Sequence, residues 1–138
     1  REILECRLSA AWLGKLGKSR QVGWQREILQ RKGLGKMKLT HSTTWDVAVG
    51  RQGEFLAINR RSAVIHKRCG ASDIKLLASQ AGAPQTEWTY VMFFDDETAW
   101  AKCMGAMDTD AEWLELGREF SVDPCARATR SNLYRDLL

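Results

Sequence analysis

The stretch EWTYVMFFDDETAW, Glu87 to Trp100, decides the fold. In an extended chain Trp88, Tyr90, Met92 and Phe94 share one face, while Thr89, Val91 and Phe93 share the other. A strand that is apolar on both faces reads as an inner strand covered on both sides. Three acids follow it, Asp95, Asp96 and Glu97. With Asp108, Asp110 and Glu112 they could supply oxygen ligands to a cation, but the glycine and regular alternation of a calcium loop are missing. Helix capping accounts for them better. Asp95 or Asp96 can accept orphan helix N–H groups, and Glu97 suits the positive end of a helix dipole.

Outward from that strand the pattern is regular. LTHSTTWDVAVG alternates, with Leu39, His41, Thr43, Trp45, Val47 and Val49 on one side, which predicts a first strand. A helical period runs from about Glu54 to Arg68, with Phe55, Ile58, Ile65 and Cys69 inward and Gly70 as the stop. DIKLLASQA predicts a second strand, Asp73 to about Ala81, and the turn GAPQ leads into the third, Thr86 to Phe94. Glu97 to Met107 predicts a helix with Trp100, Cys103, Met104 and Met107 inward. Asp110 then caps a shorter one over AEWLELGREF. ARATRSNLYRDL predicts a last, polar strand of edge character.

The order β-α-β-β-α-β has one simple solution. A right-handed crossover leaves a gap between its two strands, and the third strand fills it as an antiparallel neighbour. The fold class is α+β, a ferredoxin-like plait with its helices on one face of a four-stranded sheet. The apolar far face of the third strand then calls for cover, and a homodimer packed sheet against sheet provides it.

Composition narrows the function classes. A chain of 138 residues with 44% hydrophobic and 28% charged residues suits one globular domain. No apolar run approaches the roughly 20 residues that span a bilayer. LSAAWLG is too short and lacks the cleavage region of a signal peptide, so a cytoplasmic location is expected. Cys6, Cys69, Cys103 and Cys125 form no CxxC pair and read as reduced thiols. The net charge of +4 is uneven: residues 1 to 38 hold ten Lys or Arg against three Glu, and the remainder is net acidic. That distribution argues against nucleic acid or a membrane surface as the partner of the main body. Residues 1–37 read as a basic extension broken by five glycines, with short helices over about 2 to 13 and Trp24 to Lys32. Met37 stands where regular patterning begins, so the domain is placed at 38–138.

Three segments carry a family likeness: TTWDVAVGRQGEF from strand to helix, LLASQAGAPQTEWTYVMFFDD as a hairpin ending in acids, and AMDTDAEWLEL in the second helical region. On them, residues 38–138 resemble the dimeric α/β-barrel superfamily, which includes NIPSNAP-like, EthD-like and antibiotic-biosynthesis-monooxygenase-like domains. The resemblance implies a homodimer whose sheets form a barrel, and a pocket between helices and sheet in each subunit. It also implies cofactor-free oxidation, haem degradation or muconolactone-type isomerisation as the range of activities. The haem-degrading branch uses an Asn, a Trp and a His around its pocket. Here the first strand has no Asn and the second helix no His.

Within that frame His41 is the candidate catalytic acid–base group, because it shares a strand face with Trp45. Trp45, Trp88 and Tyr90 on the central strands, with His66 and Trp100 on the helices, are the candidate ligand-binding residues. Each has a plainer reading, as a packed histidine or a core-filling aromatic. His66 and Cys69 have metal-ligand spacing but make only half a site, so no metal and no cofactor are expected. No GxSxG, P-loop, dinucleotide fingerprint or HExxH occurs. The sequence thus points to a small dimeric enzyme-like protein that binds a flat apolar metabolite, with cofactor-free oxidation or isomerisation as its chemistry. A non-catalytic ligand-binding or interaction module of the same fold is the alternative.

Overall fold

Residues 38–137 are those described by the computed structural model, and the basic extension with its two expected helices and Cys6 lies outside them. Along them run β1 (Leu39–Val47), α1 (Gln52–Cys69), β2 (Asp73–Ala78), β3 (Glu87–Phe94), α2 (Glu97–Met107), α3 (Ala111–Val122) and β4 (Ala126–Arg135). The strands form one sheet in the order β2-β3-β1-β4. β3 lies antiparallel between β1 and β2, and β4 closes the other edge, also antiparallel to β1. This is the ferredoxin-like plait that the element order implies.

Capping fixes where the helices start. The Asp96 carboxylate accepts from the Ala99 N–H at 2.8 Å, and Asp110 accepts from the Trp113 N–H at 2.9 Å. Each satisfies one of the donors that a first turn leaves unpaired. Glu97 pairs with Arg135 of β4 at 2.5 Å. The acids after β3 therefore start α2 and tie it to the sheet. α1 ends at Gly70, whose φ of 123° is open to glycine, and whose N–H bonds the His66 and Lys67 carbonyls. Some boundaries differ from the sequence reading. β1 stops at Val47, leaving Val49 84% exposed, and β2 stops at Ala78 rather than near Ala81. α1 begins two residues early, at Gln52.

Two apolar clusters fill the space between helices and sheet. One gathers Leu39, Ile65, Cys69, Tyr90, Met92, Phe94, Cys103 and Leu116. The other gathers Val47, Phe55, Phe120, Cys125 and Ala126. Cys69, Cys103 and Cys125 are free thiols buried there, as small hydrophobes. On the far face of the sheet Ser42, Thr44 and Val91 are buried at the centre, whereas Leu77 and Tyr134 at its margins are about half exposed.

Candidate functional site

The inner stripe of α1 is not purely apolar. Asn59, Ser62 and His66 are buried on it beside Phe55, Ile65 and Cys69. Asn59 and Ser62 satisfy themselves within the helix: Asn59 Nδ2 donates to the Phe55 carbonyl at 2.7 Å, and Ser62 Oγ to the Ile58 carbonyl at 3.0 Å. The His66 ring instead reaches the sheet. Its Nδ1 shares a 2.8 Å hydrogen bond with the Tyr90 hydroxyl, and the Trp113 ring lies against it at 4.8 Å.

Register determines what stands beside Tyr90. Thr43 of β1 pairs with Tyr90 of β3 on one side and Ser131 of β4 on the other, so the three form one cross-strand row facing the helices. Ser131 faces inward because of a bulge. The β1–β4 register slips between Thr44 and Trp45, and Thr129 is the extra residue, its hydroxyl donating to the Thr44 carbonyl at 3.1 Å. Ala126 and Ala128 face the helices before the slip. Ser131 and Leu133 do so after it, and Arg130 is turned to the far face. His41 Nε2 shares a 2.9 Å hydrogen bond with Ser131 Oγ. Two imidazole–hydroxyl pairs thus stand at the two ends of one row, with Thr43 between them. Ser131 and Leu133 are exposed, so the site meets solvent along the β4 edge.

The other ring nitrogens are the unusual feature. His41 Nδ1, His66 Nε2 and Trp100 Nε1 are buried and have no hydrogen-bond partner. A buried polar atom left unpaired costs on the order of 1–3 kcal/mol, and native interiors hold few of them. Trp100 packs, partly buried, against the apolar cluster that contains Leu39, Ile65, Tyr90, Met92 and Phe94.

Protonation follows from burial. His66 is held down at about 4, first by loss of water and then by repulsion from His41. His41 is lowered by burial as well, and burial raises the Tyr90 hydroxyl well above its usual range. Both imidazoles are neutral at pH 7, so each offers one donor and one acceptor nitrogen. Neither ring carries a charge at that pH.

The six residues singled out in the sequence fall into two groups. His41, His66 and Tyr90 belong to this polar region, and Trp100 packs against the apolar cluster that includes Tyr90. Trp45 and Trp88 do not share it directly. They pack with Phe55 and Phe120: Trp45 lies 5.6 Å from Phe55 and 5.8 Å from Phe120, and Trp88 lies 6.0 Å from Phe55. The Trp88 indole N–H is satisfied by the Gln85 carbonyl at 3.2 Å. Among the described residues no group of three or more His, Cys, Asp or Glu could hold a metal ion. Nor is any helix there long and apolar enough to cross a membrane. Sequence reasoning missed Ser131, Trp113, Asn59 and Ser62. Asn59 and His66 are seven apart on α1, a helical spacing that could have placed both on the inner stripe.

The sequence matches no protein-family model and no functionally curated protein. Solved structures share the fold at low identity. A NIPSNAP family protein from Agrobacterium tumefaciens superposes with a TM-score of 0.57 at 14% identity, covering 75% of this chain and 87% of that one. SnoaB, a cofactor-independent oxygenase from Streptomyces nogalater, gives 0.55 at 16% identity, over 73% of this chain and 94% of its own. A putative antibiotic biosynthesis monooxygenase from Nitrosomonas europaea gives 0.54 at 15% identity, over 75% and 92%. The chain shares the ferredoxin-like fold of these NIPSNAP-like and monooxygenase-like proteins.

Proposed function

We propose that this chain is a small enzyme-like protein that binds a flat, largely apolar metabolite between the helices and the sheet. Its chemistry is cofactor-free oxidation or isomerisation, with His41 as the acid–base group and His66, Tyr90 and Trp100 around the ligand. Trp45 and Trp88 form the apolar end wall. One observation carries the reading: three buried ring nitrogens, His41 Nδ1, His66 Nε2 and Trp100 Nε1, have no partner in the protein. A ligand edge lying there would pair them. The fold shared with a cofactor-independent oxygenase agrees with this chemistry.

A thermal-shift screen of flat aromatic compounds on wild type and His41→Ala tests the reading. Stabilisation of wild type by at least one compound is expected, and a screen with no hits contradicts it. A hit that stabilises His41→Ala equally keeps the pocket but removes His41 from it. Each hit is then incubated in air and under argon. Turnover only in air identifies oxidation, and turnover in both identifies isomerisation. Binding without turnover in either assigns the chain to the non-catalytic class.

We also propose that the chain works as a homodimer through the far face of the sheet. Leu77 and Tyr134 stand about half exposed at its margins, and Phe93 is half-buried beneath the Lys75 ammonium, 5.5 Å from its ring. Sedimentation should give a dimer for wild type and a monomer for Leu77→Glu. A monomeric wild type contradicts the assembly.

A further inference from the structure

The β4 edge sets an exposed hydroxyl against a buried base. His41 is 4% exposed, whereas Ser131 is open to solvent, and His41 Nε2 lies 2.9 Å from Ser131 Oγ. The contact is diagonal: His41 is the register partner of Leu133, and its ring reaches back along β4 to Ser131. The register slip at Thr129 makes this contact, because it turns Arg130 to the far face and Ser131 to the helix side. A hydroxyl within hydrogen-bond reach of an imidazole is the arrangement of a nucleophile and its base. Here a β-bulge exposes the serine, in place of the strand-to-helix elbow of GxSxG enzymes.

The surroundings of the pair limit its chemistry. Burial lowers the His41 pKa, so the ring is neutral at pH 7 and keeps a lone pair for the hydroxyl proton. With the ring proton on Nδ1, Nε2 accepts from the Ser131 O–H. His41 Nδ1 has no hydrogen-bond partner, so no carboxylate stabilises an imidazolium. The ring can pass a proton on to water but cannot hold one for a poor leaving group. The substrate must therefore carry a leaving group that departs as an anion. Leu133, 46% exposed on the same side of β4, offers contact to an apolar acyl chain.

We propose that Ser131 and His41 form a nucleophile–base pair that takes acyl groups from activated carboxylic esters and thioesters. Ser131 Oγ bonds the acyl carbon, and the bond from that carbon to the leaving oxygen or sulfur breaks with its electron pair. The hydroxyl proton passes to His41 Nε2 and then to water. A water molecule releases the acyl group as a carboxylic acid and restores the hydroxyl. The reaction goes beyond the ligand-binding reading above, because it runs at the β4 edge and needs no molecule between helices and sheet.

p-Nitrophenyl acetate tests it, with tandem mass spectrometry locating each acetyl group by residue. Folded wild type should acetylate Ser131 about 100-fold faster than the same chain unfolded in urea. His41→Gln, which removes the base, should slow acetylation of Ser131 about 100-fold and leave that of surface lysines unchanged. Ser131→Ala, at an exposed position, should leave position 131 and its neighbours without an acetyl group. The proposal is overturned if acetyl groups appear only on lysines and Tyr134. It is overturned equally if folded and unfolded chains react alike at Ser131, or if His41→Gln reacts as fast as wild type. Should His41→Gln fail to fold, the ratio of folded to unfolded wild type decides. None of these outcomes bears on the thermal-shift screen, so the two readings fail separately.

Discussion

The same helix, α1, borders two very different interiors. At its N-terminal end Phe55 packs with Trp45, Trp88 and Phe120 in a cluster of rings 5.6 to 6.0 Å apart. At its C-terminal end His66 meets Tyr90 and Trp113, and His66 Nε2, like His41 Nδ1 and Trp100 Nε1, is buried without a partner. The first region follows the rules of a core: its rings interlock, and the Trp88 indole N–H is satisfied by the Gln85 carbonyl. The second breaks the rule that buried polar atoms are paired. Local violations of that kind concentrate at functional sites, because stability alone would have removed them. The contrast separates rings packed in a core from rings whose buried nitrogens are unpaired.

The largest difference should appear on truncation. Phe55→Ala should destabilise the protein by about 3–5 kcal/mol in urea titration, because Phe55 is only 2% exposed in a packed cluster. A loss under about 1 kcal/mol would mean the aromatic end is loosely packed and the contrast false.

Acid sharpens the comparison next, because it acts on one end only. The unfolded chain protonates His66 near 6.5, whereas the folded chain resists until about 4. The stability from this group is complete above pH 6.5 and is lost as the pH falls toward 4. For His66 alone the loss between pH 8 and pH 5 should be about 2 kcal/mol, and His41 adds to it in the same direction. His66→Gln should flatten most of this dependence. An unchanged profile would show that His66 is not buried as a neutral ring.

Paired removal of polar groups follows. Tyr90→Phe should cost about 1–3 kcal/mol, since it leaves the second His66 nitrogen unpaired as well. Tyr90→Phe with His66→Phe should return to within about 1 kcal/mol of wild type at pH 8, because an all-apolar pair of similar shape loses no hydrogen bond. A strongly destabilised double variant would make the pair structural. The smallest effect belongs to the cap: Asp96→Ala should cost about 1 kcal/mol with ligand binding unchanged.

The fold was legible because its signals are local. The alternation in β1 and β3, the caps at Asp96 and Asp110 and the stop at Gly70 each lie within a few residues of what they determine. The candidate site was legible only by residue type. His66 and Tyr90 are 24 residues apart, and His41 and Ser131 are 90 apart. Their meeting depends on the β1–β4 register, which the bulge at Thr129 shifts by one residue. No pattern in ARATRSNLYRDL announces that shift. Trp45 and Trp88 were legible as central-strand aromatics, whereas their packing with Phe55 and Phe120 was not. Helical periodicity pointed α1 inward without showing what its rings would touch.

The contrast is tested most directly by the indole N–H resonances, which report every tryptophan in one ¹H–¹⁵N spectrum. A ligand found by the screen is titrated into the labelled protein, with Trp100 and Trp88 identified by their Phe variants. The Trp100 Nε1–H, unpaired in the free protein, should show the largest shift, while the Trp88 Nε1–H, already bonded to the Gln85 carbonyl, should move less. A larger shift at Trp88 than at Trp100 would place the ligand's polar edge at the aromatic end and contradict the account.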